Sequence, residues 1–180
     1  MPLRLREQVG SYDYPKHQAR SAQDANLQMM KETTALVQAL IHKHRQAVLA
    51  VCENDVPYTA MASYAWHAGG VLIHLSNLSA HKRVLMANPQ CSLLIAEPDD
   101  GRAEVMSLAR LTLNGSAIKL DKAGEVYAAA QTAYLTKLPS SEIMFELPDF
   151  DLFHIVPASG RFIGGFGRIY NLDPDDLKQL

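Results

Sequence analysis

The sequence predicts an α+β fold, an antiparallel sheet or barrel with helices at its ends. Three observations carry this. Strand-like runs succeed one another from Gln46 to Glu97, and two of the joints between them are tight turns. A helical period precedes these runs, and a second one separates them from the last strands. Gly115 sits inside the longest run, where a bulge or bend of the kind a barrel corner needs is expected.

The elements follow in order. Residues 1–22 are polar, basic-leaning and aperiodic, and read as an N-terminal arm. Residues 23–180 read as a single domain. Leu27, Met30, Val37, Leu40 and Ile41 recur at helical spacing, with Asp24 as the expected N-cap. "QAVLAVCE" is a strand and "ENDVP" supplies turn chemistry. "YTAMASYAWH", the turn "AGG" and "VLIHLSN" form a hairpin. A short helix over 79–87 leads past Pro89 to the strand "CSLLIAE", and "SLARLTLNGSAIKL" is the long strand. "DKAGEVYAAAQTAYLTKL" is a helix with Asp121 as N-cap and Glu125 in its first turn. "LPSSEIMFELPDF" is irregular or briefly helical. Two final strands flank a glycine-rich joint, and "DPDDLKQL" is a short terminal helix or tail.

Composition narrows the function. With 48% hydrophobic and 20% charged residues the chain is ordinary globular protein. A net charge of −2 gives no broad footprint for nucleic acid. Cys52 and Cys91 each lie in an apolar run and read as reduced core residues. No apolar run approaches a membrane span and the N-terminus has no signal-like core, so the expected location is the cytoplasm.

Chemistry is concentrated in a few places. In "LSNLSAHKRVLMANP", Ser79 is a helix N-cap, yet His81, Lys82 and Arg83 crowd the positive end of the helix dipole. A bound anion resolves that conflict. The free N–H groups, the Ser79 hydroxyl and the two cations are suitable donors. The alternative is a solvated basic face. In "GRFIGGFGR", Gly164, Gly165 and Gly167 permit close approach of a ligand or another strand, or form a bulge. Arg161 and Arg168 are anion donors or surface ion-pair partners. Arg110 faces solvent, a ligand or an interface. His42 and His44 end a helix, where cationic side chains suit the dipole. No Cys/His set has zinc spacing and no nucleophile elbow is present, so no metal site and no catalytic acid, base or nucleophile is assigned.

Taken in order, the hairpin, "VLIHLSNLSAHKRVLMANPQCSLLI", "RLTLNGSAIKL" and "FHIVPASGRFIGGFGRIYNLD" resemble the pyridoxamine 5'-phosphate oxidase-like, FMN-binding split-barrel superfamily. Within it they are most similar to the haem-utilisation branch. The resemblance spans about residues 27–175. It implies a six-stranded antiparallel split β-barrel flanked by helices and a homodimer with ligand pockets at the subunit interface. It also implies FMN as cofactor, with haem as the alternative. The implied function is a flavin-dependent oxidoreductase linked to haem utilisation. The alternatives are a haem-binding or haem-degrading protein without flavin, or a flavin- or tetrapyrrole-binding module without turnover. In the flavin case the cofactor carries the electron chemistry.

By position, Ser76 and Asn77 match a strand-end Thr-Asn pair, Ser79 a family serine and Arg83 a family arginine. His81 falls where the oxidases have lysine, with Lys82 one place later. Arg110 replaces a glutamine that meets the flavin. Ile163 and Gly164 replace a Trp-Gln pair against the ring, with Gly165 beside them, and Arg168 lies near a C-terminal arginine. The cofactor-binding set implied is therefore Ser76, Asn77, Ser79, His81, Lys82, Arg83, Arg110, Ile163, Gly164, Gly165 and Arg168. No arginine lies between Arg45 and Lys82, and Ile163 stands for tryptophan. Both departures argue against a true pyridoxamine-phosphate oxidase. Longer members of the branch continue past the barrel, whereas this sequence ends at Leu180. In the alternative in which haem binds without flavin, a histidine has to reach the iron, and the candidates within the domain are His74, His81 and His154.

Overall fold

The computed structural model describes residues 16–165 and 168–180. The first fifteen positions of the expected arm lie outside the described residues, as do Phe166 and Gly167 of the glycine-rich ending. Helix α1 runs Lys16–Lys43. Asp24 is thus internal to it and does not cap it, because "KHQARSAQDA" holds no Gly or Pro to stop a helix. The chain divides into the units Met1–Thr34 and Ala35–Leu180. The second carries the sheet and everything that follows.

Four strands come first: β1 (Gln46–Glu53), β2 (Val56–His67), β3 (Gly70–Ser76) and, after helix α2 (Ala80–Ala87), β4 (Gln90–Ala96). Strand β5 (Arg110–Lys119) leads to helices α3 (Glu125–Lys137) and α4 (Glu142–Phe145). Strands β6 (Phe150–Ile163) and β7 (Ile169–Leu172) and helix α5 (Pro174–Lys178) complete the chain. All pairings are antiparallel in the order β3-β2-β1-β4-β5-β6-β7, and β3 also pairs with β6. That pairing closes six strands into a barrel and leaves β7 as an extra strand on β6. The α+β split barrel implied by the resemblance is the fold observed.

Turn chemistry explains the two hairpins. Asn54 and Asp55 take φ of 50° and 64°, and Ala68 and Gly69 take 50° and 71°. Two consecutive left-handed residues match the right-handed twist of the strands they join. Alternation then sorts the side chains. Leu49 and Val51, Tyr64, Val71 and Ile73, Leu93 and Ile95, Leu111 and Leu113, and Phe153 and Ile155 fill the interior. Val37, Leu40 and Ile41 of α1 join this core, and the Tyr64 hydroxyl donates to the Ile41 carbonyl at 2.8 Å. A second core lies outside the barrel, where Tyr127, Ala130 and Tyr134 of α3 cover Leu72 and Leu152. Gly124 is the N-cap residue of α3. Asp121 instead accepts from the Ala123 N–H in the turn just before it.

The predicted irregularity at Gly115 is present. Asn114 faces Ser159 and Gly115 faces Pro157, so β6 carries one extra residue, Ala158. A Cβ at Gly115 would overlap the Val156 carbonyl oxygen and stand 2.8 Å from Pro157 Cα. Both are backbone atoms with little room to yield. Gly115→Ala should therefore cost about 2 kcal/mol of stability. Urea denaturation of the variant checks this, and an unchanged midpoint refutes the close-approach role.

Candidate functional site

The predicted anion cradle is built by the end of β3 and the start of α2. Ser79 is the N-cap residue but its side chain makes no capping hydrogen bond. Lys82 turns inward and is 4% exposed. Its ammonium donates to Asn77 Oδ1 at 2.6 Å and the Asp149 carbonyl at 2.8 Å, and it pairs with Asp151 Oδ2 at 2.8 Å. An ammonium has three N–H groups, so none is left for a ligand. Arg83 points outward and clasps Glu53 with both terminal nitrogens. Ser76 Oγ meets Asp149 at 3.0 Å and accepts from the Leu78 N–H. Where the sequence predicts a bound phosphate, the protein's own carboxylates stand. As folded, the turn does not suit the phosphate dianion of FMN. His81 is half-buried, and burial lowers its pKa.

The other implied site residues lie elsewhere. Ser76 pairs with Phe150 at the start of β6, whereas Arg110 pairs with Ile163 at its end. At the usual rise per residue those ends are about 40 Å apart along the strand. Arg110 donates to the carbonyls of Met106 at 3.0 Å and Leu108 at 3.1 Å. The Gly164 N–H donates to the Arg168 carbonyl at 3.0 Å, and Gly165 takes a φ of 100° that requires glycine. Within one chain the structure therefore brings together two groups, the α2 turn and the β5–β6 end. It does not bring them to one pocket.

Two cavities open near the second group, around the junction of α1 and β1. The larger, of about 710 Å³, has an apolar lining from Val48, Met61, Leu94, Ala96 and Leu138, and a basic side formed by Lys43, His44 and Arg45. The smaller, of about 330 Å³, is lined by Lys43, His44, Glu97, Arg102, Gly164 and Arg168 among others. Arg102 is paired with Glu97 and Asp100. Lys43, Arg45 and Arg168 have no carboxylate partner among the described residues. Lys137 donates to the His42 carbonyl at the end of α1. Burial lowers the Lys137 pKa, and Arg45 lowers it further. Burial likewise depresses His44, with Lys43 and Lys137 adding to the effect and Glu97 opposing it. The region thus holds more positive charge than its own carboxylates balance.

Sequence reasoning misses this corner because the "HKHR" run is explained locally, as cations suited to a helix C-terminus. The available signal is density: Lys43, His44 and Arg45, all cationic or titratable, stand together where helix passes to strand. Of the histidines expected to meet a haem, His154 has Nε2 3.2 Å from the His67 carbonyl. His74 is enclosed by aromatic rings, with Phe145 stacked at 3.9 Å. Neither they nor His81 lines either cavity.

Comparison with known proteins agrees with the fold. The sequence matches the pyridoxamine 5'-phosphate oxidase family over residues 33–164, and the chain belongs to that family. It is 27% identical over 124 residues to heme oxygenase HutZ of Vibrio cholerae, covering 67% of this chain and 69% of that protein. It is 34% identical over 115 residues to the chloroplastic heme oxygenase HOZ of Arabidopsis thaliana, covering 63% of this chain but 34% of that protein. A solved heme-binding protein from Mycobacterium smegmatis superposes with a TM-score of 0.71 at 23% identity, over 78% of this chain and 58% of that one. That last likeness establishes the barrel alone. The chain therefore spans about a third of the Arabidopsis protein and just over half of the mycobacterial one.

Proposed function

We propose that this chain is a haem-binding split-barrel protein of the haem-utilisation branch and that the 710 Å³ cavity takes the tetrapyrrole. The observation that carries the reading is the cavity's chemistry. An apolar lining beside Lys43 and Arg45, neither of them paired with a carboxylate among the described residues, suits a flat apolar ring with carboxylates on one edge. Cavities of roughly 300–1,000 Å³ hold ligands of this size. Two relatives named as heme oxygenases support haem as that ligand. FMN is supported by the family alone, and the α2 turn offers its phosphate no free cation.

A bound haem would supply a redox-active iron and an oxidisable macrocycle, the chemistry of a haem-degrading oxygenase. The chain's own residues would do two things. Val48, Met61 and Leu94 would cover the ring and exclude water from it, and Lys43 and Arg45 would pair with its carboxylates. A second copy of the chain completes the site in this reading. The cavity is open on the outer face of β1, β2 and β4, where Met61 is 62% exposed opposite Val48. A partner packed there would wall the ligand in and form the homodimer that the resemblance implies.

The test is a titration of the purified protein with ferric haem and, separately, with FMN. Haem should give a saturable Soret band. Lys43→Ala combined with Arg45→Ala should weaken it by about tenfold, roughly 1.4 kcal/mol. An unaltered affinity in that double variant removes the cavity from consideration. Uptake of FMN without uptake of haem overturns the ligand.

A further inference from the structure

The smaller cavity, of about 330 Å³, is lined largely by residues that the haem reading leaves unused. Segments far apart in sequence meet there. The end of α1 brings Lys43, the β4–β5 connection brings Arg102 and Ser107, and the turn between β6 and β7 brings Gly164 and Arg168. Backbone contacts hold these segments in place. The Gly164 N–H donates to the Arg168 carbonyl at 3.0 Å, which fixes Arg168 just ahead of β7. The Glu97 N–H donates to the Ala109 carbonyl and the Ala109 N–H donates to the Glu97 carboxylate, both at 2.9 Å, so the β4–β5 connection is tied at its base.

Charge in this cavity is lopsided. Lys43, Arg102 and Arg168 line it, and Glu97 is the one carboxylate among the described residues that do. Glu97 is already engaged by the Ala109 N–H and by Arg102, and Arg102 is further paired with Asp100. Lys43 and Arg168 are left with no carboxylate partner among the described residues. His44 also borders the cavity, with its pKa lowered by burial. Like charges drawn together from distant segments repel one another unless an anion shares the site. Most of the remaining lining is apolar: Leu36, Ala39, Leu40, Ala109 and Phe162. Leu36 is 42% exposed, so apolar surface is open there as well as charge.

We propose that this cavity is a second binding site, which takes a small organic carboxylate with a compact apolar body, held by Lys43 and Arg168. The apolar lining would cover the body, and the two cations would meet the carboxylate with charge-assisted hydrogen bonds. An inorganic anion meets only half of these conditions, because it has no apolar part. The site does not rest on the haem reading. Arg45 lines the larger cavity and not the smaller, Arg168 lines the smaller and not the larger, and Lys43 and His44 border both. Of the residues that the resemblance implies for a cofactor, Gly164 and Arg168 are here, whereas those of the α2 turn line neither of these cavities.

Benzoate is the probe, with benzamide as its uncharged isostere and inorganic phosphate as an anion without an apolar body. Amide chemical shifts of isotope-labelled protein report affinity and location together. Benzoate should bind saturably and move the amides of Ser107, Ala109 and Gly164, with benzamide and phosphate each at least about fivefold weaker. Arg168→Ala and Lys43→Ala should each weaken benzoate by about tenfold, the worth of one hydrogen bond to a charged group. Arg168→Lys, which keeps the charge, should recover part of the loss. Both side chains are exposed, so these variants should fold as wild type does. Arg45→Ala should bind benzoate like wild type, and so should Arg161→Ala, at an exposed arginine bonded to Asn171 that lines neither cavity. If benzamide binds as tightly as benzoate, charge is not recognised and the proposal fails. It fails equally if phosphate matches benzoate, if Arg45→Ala weakens benzoate as much as Arg168→Ala, or if no shift arises around the cavity. Haem uptake is a separate measurement: a protein that takes benzoate here and no haem overturns the preceding reading and leaves this one standing.

Discussion

Lys82→Met should destabilise the protein by about 3 kcal/mol, yet leave haem affinity unchanged. The reasoning begins with burial. The Lys82 side chain is 5% exposed and that of its partner Asp151 is 15% exposed. Removing one member of a buried ion pair strands the other, which costs more than the pair itself contributes. Asp151 would keep Lys119 at 2.9 Å, but that lysine is 45% exposed and screened by water. Asn77 and the Asp149 carbonyl would each lose a donor. The pair also sets an acid limit. Burial pushes the Asp151 pKa up, but the hydrogen bonds from Lys82 and Lys119 outweigh it and hold it below the usual carboxylate value of 3.8. A depressed carboxylate stabilises the fold above its unfolded pKa, and that stability is lost as pH falls through the folded value. Urea melts of Lys82→Met, Asp151→Asn and the double variant isolate the pair. If Lys82→Met melts like wild type and binds ligand more weakly, Lys82 belongs to a binding site after all.

The same residue shows what the sequence could and could not disclose. Alternation, turn residues and Gly115 located the strands to within a few positions, because local geometry dictates those signals. The cationic turn at α2 was also legible as a conflict with the helix dipole. Its resolution was not, because Asp149 and Asp151 lie nearly seventy residues away and reach Lys82 only through the β3–β6 pairing that closes the barrel. An unpaired charge in the sequence became a paired one in space. The reverse holds at the end of α1. Lys43 and Arg45 sit where a helix dipole would account for them, and only the fold reveals a cavity beside them with no carboxylate among the described residues that line it. Sequence neighbours reveal local electrostatic conflicts. Which of them the protein settles internally, and which it leaves for a ligand, depends on contacts between distant segments.

His74 provides the second large effect, and it runs with pH. Its ring stacks on Phe145 with an interplanar angle of 15° and packs against Tyr134 and Phe150. Both ring nitrogens are buried without partners. Burial is the main reason its pKa falls to about 4, from 6.5. Lys122 and Lys82 push in the same direction, and Asp151 opposes them. The folded state therefore holds fewer protons than the unfolded chain between those two values, and stability rises with pH across that window. It is complete above 6.5, declines as pH falls toward 4, and changes little below because both states are then protonated. The whole shift would correspond to about 3 kcal/mol. Partial solvent access at this site reduces the expected loss to about 1.5 kcal/mol. His44, His81 and His154 are also depressed and add to the acid slope, so the diagnostic is a difference. His74→Phe keeps the aromatic stack and removes the proton. Its stability should fall less than that of wild type between neutral pH and pH 4, with the curves diverging below 6.5. Parallel curves in chemical denaturation across that range would mean that His74 is hydrated and can ionise freely. The same variant should keep the wild-type Soret band, since a ring packed face to face on Phe145 has no free approach for an iron.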